Sequence, residues 1–212
     1  HRDGGFDGLS LVITNLPDLL AYHFAASAEM NPLKVVGMNH LDTKRFRMAA
    51  LDAFSDSYKM NYREECPVDI TEVDGFVVGP HDESLFSVLS SNLRLGKFGI
   101  TKFSIYSEDL ERTINIDTKD FVNKILKKMG GTTALDVARA TTDVVKAIAN
   151  EEDVVEVSTY IDKDLDGRSI EPMYLGWPAK FRGFTAEKQS LKYALWDEEV
   201  ERFNESYEIL LK

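Results

Sequence analysis

The sequence predicts an α+β domain entered through the last βαβ unit of a parallel α/β sheet. Three observations predict it. Two short, almost wholly apolar runs, 9–14 (LSLVIT) and 33–38 (LKVVGM), bracket a helical segment within thirty residues, the pattern of a parallel strand pair with its crossover helix. After residue 40 the strand-like segments alternate instead, as in VVEVSTYI at 154–161, and turn formers join them as hairpins. Long helical segments stand between groups of strands rather than after every strand.

In chain order, the Gly-rich opening HRDGGFDG leads into the run 9–14, which reads as a strand buried on both faces. Pro17 and Asp18 follow, and 19–30 (LLAYHFAASAEM) carries apolar residues at helical spacing until Asn31-Pro32 stops it. The run 33–38 is the second buried strand. Residues 41–54 form a helix with Leu41, Met48, Leu51 and Phe54 on its apolar side. Residues 68–90 hold two or three strands, GFVVG at 75–79 among them, and helices are expected over 120–129 and 133–150, broken at Gly130-Gly131. The strand VVEVSTYI, a turn at 162–168 and the returning IEPMYLG at 170–176 make a hairpin. Asp197 caps a final helix through Leu211, with Glu198 and Glu199 in its first turn. Tyr174, Trp177, Phe181 and Phe184 are expected in the core or a subunit interface. The expected division is a parallel remnant over 1–39 and an α+β domain over 40–212.

Composition bounds the function. The chain has 212 residues, 43% of them hydrophobic and 29% charged, with 25 Lys and Arg against 36 Asp and Glu, a net charge of −11. That fits a globular core and argues against nucleic acid or an anionic membrane as partner. It leaves room for a small anion, since one fixed Arg dominates at close range. A single cysteine, Cys66, permits no intrachain disulfide and fits a reducing compartment, so a cytoplasmic location is expected. No apolar run is long enough to cross a bilayer, no signal-peptide pattern opens the chain, and no Cys/His cluster suggests a metal. The segment 162–167 (DKDLDG) imitates the start of a calcium loop, but its twelfth position is Met173 and strands flank it, which favours a hairpin turn.

Five residues stand out. Asp42 and Arg45, at i and i+3, share a helix face, either as a surface ion pair or as a pair beyond a strand's carboxyl end, where ligands of α/β sheets collect. His81 follows an apolar strand in GPHDES, either as a structural histidine or as an acid/base. Asn15 ends the first strand in ITNLPD, where a turn or cap role competes with ligand contact, and Thr132 after Gly130-Gly131 is by default an N-cap.

In this order the segments resemble the lactate/malate dehydrogenase family. VVGMNHLDTKRFR at 35–47 is similar to its Leu-Asp-[Ser/Thr]-x-Arg-Phe-Arg signature with every fixed position present, ITNLPDLL at 13–20 to its strand-end Asn segment, GFVVGPHDES at 75–84 to its histidine turn, and MGGTTALDV at 129–137 to its small-hydroxyl helix start. The resemblance covers nearly the whole chain. It implies that family's C-terminal-domain fold preceded by the tail of a Rossmann-type sheet, and oxidoreduction between an L-2-hydroxy acid and a 2-oxo acid. It implies His81 as acid/base, Asp42 as its orienting partner, Arg45 as the clamp on the substrate carboxylate, Asn15 at substrate and nicotinamide, and Thr132 in the substrate pocket. It also implies NAD or NADP as cofactor and a homo-oligomer, dimer or tetramer. Two departures accompany it. Asp82 and Glu83 stand where the family has Gly and Asp, and no Gly-x-Gly-x-x-Gly appears in the chain, so most of the cofactor domain is expected to lie outside it. Those departures favour the alternative reading, a non-catalytic relative serving as oligomeric scaffold or carboxylate-binding module.

Overall fold

The computed structural model describes residues 5–81, 87–88, 90–96, 98–99, 120, 134–151, 153–162, 164–165, 168–192 and 194–210. Strands are β1 (Ser10–Val12), β2 (Val35–Gly37), β3 (Val73–Asp74), β4 (Val77–Val78), β5 (Ser87–Val88), β6 (Arg94–Leu95), β7 (Phe98–Gly99), β8 (Val155–Ile161), β9 (Asp164–Leu165), β10 (Arg168–Ser169), β11 (Met173–Arg182) and β12 (Thr185–Lys188). Helices are α1 (Pro17–Ser27), α2 (His40–Tyr62), α3 (Ala134–Asn150) and α4 (Asp197–Leu210). The α+β expectation holds.

One five-stranded sheet, in the order β1-β2-β8-β11-β12, organises these elements. The β1–β2 pair is parallel, as the βαβ pattern requires, and β8, β11 and β12 add antiparallel. The sheet therefore runs unbroken from the first forty residues into the rest of the chain, joined where Gly37 faces Ser158. In the expected hairpin, Tyr160 lies opposite Tyr174 and Val157 opposite Trp177, and β11 continues well past residue 176. A three-stranded sheet β3-β6-β7 and the pair β4–β5 lie outside this sheet, and β9–β10 forms a small ribbon within the turn after β8.

Apolar packing fixes the layers. Val155 and Val157 of β8, with Ala179 and Phe181 of β11, pack on Ala140, Val144 and Ala147 of α3. On α1, Ala21 and Ala25 pack against Val35 and Tyr174. Phe46, Ala50, Ala53 and Phe54 of α2 cover Val73, Val77, Leu93 and Leu95, with half-buried Cys66 at the margin.

Several boundaries differ from expectation for local reasons. β1 is half-buried rather than buried on both faces, because among the described residues it is a sheet edge bonded to β2 alone. α1 begins earlier, with Pro17 in its first turn, and ends before Asn31-Pro32. Glu29 turns left-handed (φ 49°), and the Met30 amide reaches back to the Ala25 carbonyl at 3.0 Å. α2 runs two turns beyond residue 54, and its packing face uses Phe46 and three alanines, leaving Met48 exposed. Asp197 is the first helical residue of α4 rather than its cap. The Trp196 carbonyl accepts from the Val200 amide, while the Glu199 carboxylate accepts from the Trp196 amide. Phe184 sits exposed at the β11–β12 turn, whereas Tyr174, Trp177 and Phe181 are buried. The expected helix over 120–129 and the Gly130-Gly131 break lie outside the described residues, apart from helical Asp120.

Candidate active site

Strand β4 and helix α2 bring the chemistry together. α2 starts three residues after β2, so its first two turns carry Asp42, Thr43 and Arg45 beyond the carboxyl end of an interior strand. The Thr43 hydroxyl accepts from the Val77 amide at 3.0 Å, which locks β4 onto the first turn. Beyond β4, Gly79 exchanges two backbone hydrogen bonds with Gly176 of β11, at 2.9 and 2.8 Å. Both positions need glycine. Gly79 has φ 97°, and a Cβ on Gly176 would lie 2.7 Å from the Gly79 carbonyl oxygen. Two residues later His81 arrives beside α2.

Asp42 holds both partners. Its Oδ2 lies 2.6 Å from Nδ1 of His81, and its Oδ1 accepts from Nη1 of Arg45 at 2.9 Å. Asp42 and Arg45 are buried, while His81 keeps about a quarter of its side chain exposed. Because a carboxylate only accepts, the proton sits on Nδ1 and Nε2 is the available nitrogen. Arg45 has a buried Nε with no hydrogen-bond partner among the described residues. His81 and Arg45 share a cleft of about 80 Å³ with Asn15, Thr14, Ile13, Met38, Leu41 and Val137. Asn15 reaches this cleft because the cap position of α1 is taken by Leu16, left-handed at φ 60°. Four of the five singled-out residues thus meet. The fifth, Thr132, lies outside the described residues, as do Asp82 and Glu83.

Carboxylates set the electrostatics. Burial pulls the His81 imidazole down, but the hydrogen bond and charge of Asp42, with the charge of Asp18 added, outweigh it and raise the net value above 6.5. Asp18, in the first turn of α1, accepts from the His81 backbone amide at 2.6 Å and from the Ser158 hydroxyl. Burial raises its carboxyl despite these donors.

Sequence reasoning missed Asp18, Ser158, Thr43 and Glu156. Asp18 has no role in the sequence reading beyond following the first strand. The signal for Ser158 and Glu156 was in β8, where Glu156, Ser158 and Thr159 interrupt a strand that is otherwise apolar and are all fully buried. Among the described residues no group of three or more metal-ligating side chains is placed to hold an ion, and no helix is long and apolar enough to cross a membrane.

Fold and site together define a class: an α+β protein that pairs a carboxylate-oriented histidine with a fixed guanidinium at one small cleft. The profile of the lactate/malate dehydrogenase alpha/beta C-terminal domain matches residues 39–212, and the chain belongs to that family. It is 29% identical to L-lactate dehydrogenase 1 of Listeria monocytogenes over 98% of the chain and 62% of that protein. It is equally identical to the L-2-hydroxycarboxylate dehydrogenase (NAD(P)(+)) of Methanocaldococcus jannaschii, over 95% of the chain and 59% of that enzyme. The crystal structure of the minor L-lactate dehydrogenase of Enterococcus mundtii superposes with a TM-score of 0.78 at 25% identity, covering 98% of this chain and 62% of that one. The chain therefore spans about three-fifths of the length of the relatives it matches.

Proposed function

We propose that this chain is the acid–base and substrate-holding part of an NAD(P)-dependent dehydrogenase that interconverts an L-2-hydroxy acid and a 2-oxo acid. Residues 1–39 are then the tail of the dinucleotide-binding domain and 40–212 the substrate domain. The observation that carries this reading is Asp42 gripping His81 and Arg45 at once, beside a cleft that also holds Asn15. The names of the relatives, an L-lactate and an L-2-hydroxycarboxylate dehydrogenase, support the substrate class.

The geometry supports the following reaction. His81 accepts the substrate hydroxyl proton at Nε2, and Asp42 stabilises the imidazolium that results. Nη1 of Arg45 is engaged by Asp42, which fixes the guanidinium at the cleft, where its remaining donors grip the substrate carboxylate. Asn15, and Thr132 on the strength of the family pattern, are assigned to the rest of the substrate. Exposed Ile13 at the rim, with Met38 and Val137, offers an apolar wall next to Asn15, which suits a nicotinamide ring. When bound, NAD or NADP supplies the hydride acceptor. In the reverse direction His81 returns the proton to the nascent alkoxide.

Turnover by the full-length protein tests this. It should oxidise an L-2-hydroxy acid with NAD or NADP, and Arg45→Ala should lower kcat/KM by about a hundredfold or more. Normal turnover by Arg45→Ala refutes the clamp. Keto-acid binding without turnover supports a carboxylate-binding module instead.

A further inference from the structure

Three carboxyl groups crowd the buried ground behind His81, and their surroundings are unequal. Asp42 has a guanidinium and an imidazole. Asp18 has a backbone amide and a hydroxyl, with the Asn39 amide at 3.5 Å. Glu156 is 1% exposed, is hydrogen-bonded to Thr43, and has an Oε2 with no partner among the described residues. The cation that faces it, Arg47 of α2, is turned to the Gly75 carbonyl at 3.1 Å and to Asp74 at 3.4 Å. The other charged groups facing Glu156 are Asp42 on α2 and Asp18 on α1, both of its own sign. Three adjacent buried carboxyls do not all ionise, and the proton goes to the one with fewest donors. Burial and then the two aspartates push Glu156 well above the ordinary carboxyl range, against the Thr43 hydrogen bond.

The position of Glu156 is as telling as its charge. Thr43 accepts from the Val77 amide, so its own hydroxyl hydrogen is free for Glu156. Oε1 of Glu156 and Nδ2 of Asn39 lie 3.1 and 2.5 Å from where a Cβ on Gly176 would stand, against the Gly79–Gly176 bridge that delivers His81. The carboxyl therefore lies beside both tethers of the catalytic pair, the first turn of α2 and the bridge leading to His81.

We propose that Glu156 is a positioning residue working as a neutral carboxylic acid, which holds Thr43, and through it α2 and β4, so that Asp42 meets His81 in register. It deepens the acid–base reading above, on which it rests. A proton on Glu156 leaves Asp42 as the charge that orients the imidazole, while Oε1 still accepts from the Thr43 hydroxyl.

The experiment uses the full-length protein. The infrared difference spectrum of wild type against Glu156→Gln at neutral pH should show a protonated-carboxyl band lost from the wild type; loss of an ionised-carboxylate band instead overturns the proposal. Glu156→Ala should lower kcat about tenfold or more through misplacement of the pair, and Glu156→Gln should recover most of that loss with the midpoint of the pH–rate profile in place. Failure of Gln to rescue, or a fall of about one unit in the His81 midpoint in Glu156→Gln, shows that a negative charge was needed and overturns the proposal. If Glu156→Ala does not fold, the infrared band and the His81 NMR midpoint in Glu156→Gln still decide. Those two readouts need no turnover, so a wild type without dehydrogenase activity would sink the functional reading and leave this one testable.

Discussion

His40 and His81 lie on opposite sides of the first turn of α2, and they titrate in opposite directions. His81 meets Asp42 and Asp18, and its imidazole rises above 6.5. His40, the first residue of α2, is pushed down to about 4 by burial and then by the charges of Arg47 and Lys44, which Asp143 only partly offsets. Its Nε2 stands 4.0 Å from an Asp143 oxygen that Lys44 already holds, so at neutral pH this contact joins a neutral ring to an engaged carboxylate and is no ion pair. Its Nδ1 is buried with no partner among the described residues. Beside the same turn of one helix, the same residue type is held with a raised pKa on one side and as a neutral packing group on the other. Local carboxylates, rather than burial alone, decide between these fates.

The contrast can be broken at either histidine. His81→Asn should cost about 10²- to 10⁴-fold in kcat, the range of a positioned general base, in steady-state assays of the full-length protein. Its pH dependence has a definite sign. In the proposed reaction, oxidation of a hydroxy acid requires neutral His81, so kcat/KM should rise with pH through the elevated midpoint, while reduction of the oxo acid requires the imidazolium and should fall above it. His40→Gln should leave those profiles in place and act on stability. The folded state holds His40 neutral, so the protein loses about 3 kcal/mol as pH falls from about 6.5 to about 4, and none of that loss occurs above this window. Chemical denaturation at pH 7 and pH 4.5 should show His40→Gln losing less on acidification than the wild type. An equal loss in both would show that His40 is not the liability.

Much of this corner was legible in the sequence because it is local. The βαβ start, the i,i+3 spacing of Asp42 and Arg45, and a histidine directly after an apolar strand all follow from short-range patterns. What was not legible depends on long-range pairing. Asp18 reads only as a residue following the first strand until the Ser158 hydroxyl and the His81 amide are brought to it from 140 and 63 residues away. Glu156 reads as an outward position of an alternating strand, yet α3 packs on β8 from one side and α1 and α2 also pack against it, so both of its faces are buried. On the apolar side of α2, Leu41, Leu51 and Phe54 pack inward as expected and Met48 alone departs, for a related reason. Alanine is a weak hydrophobic signal, and Ala49, Ala50 and Ala53 outcompeted Met48 because small side chains let that face approach its neighbours closely.

One measurement tests the central claim directly, namely that Asp42 sets the working state of His81. NMR titration of the histidine ring protons in the full-length protein, wild type against Asp42→Asn, reads both histidines at once. The His81 midpoint should lie above 6.5 in the wild type and drop below it in Asp42→Asn, where burial is left to act without its main counterweight, while His40 stays near 4 in both. A wild-type His81 midpoint at or below 6.5, or one that Asp42→Asn does not move, would contradict the account.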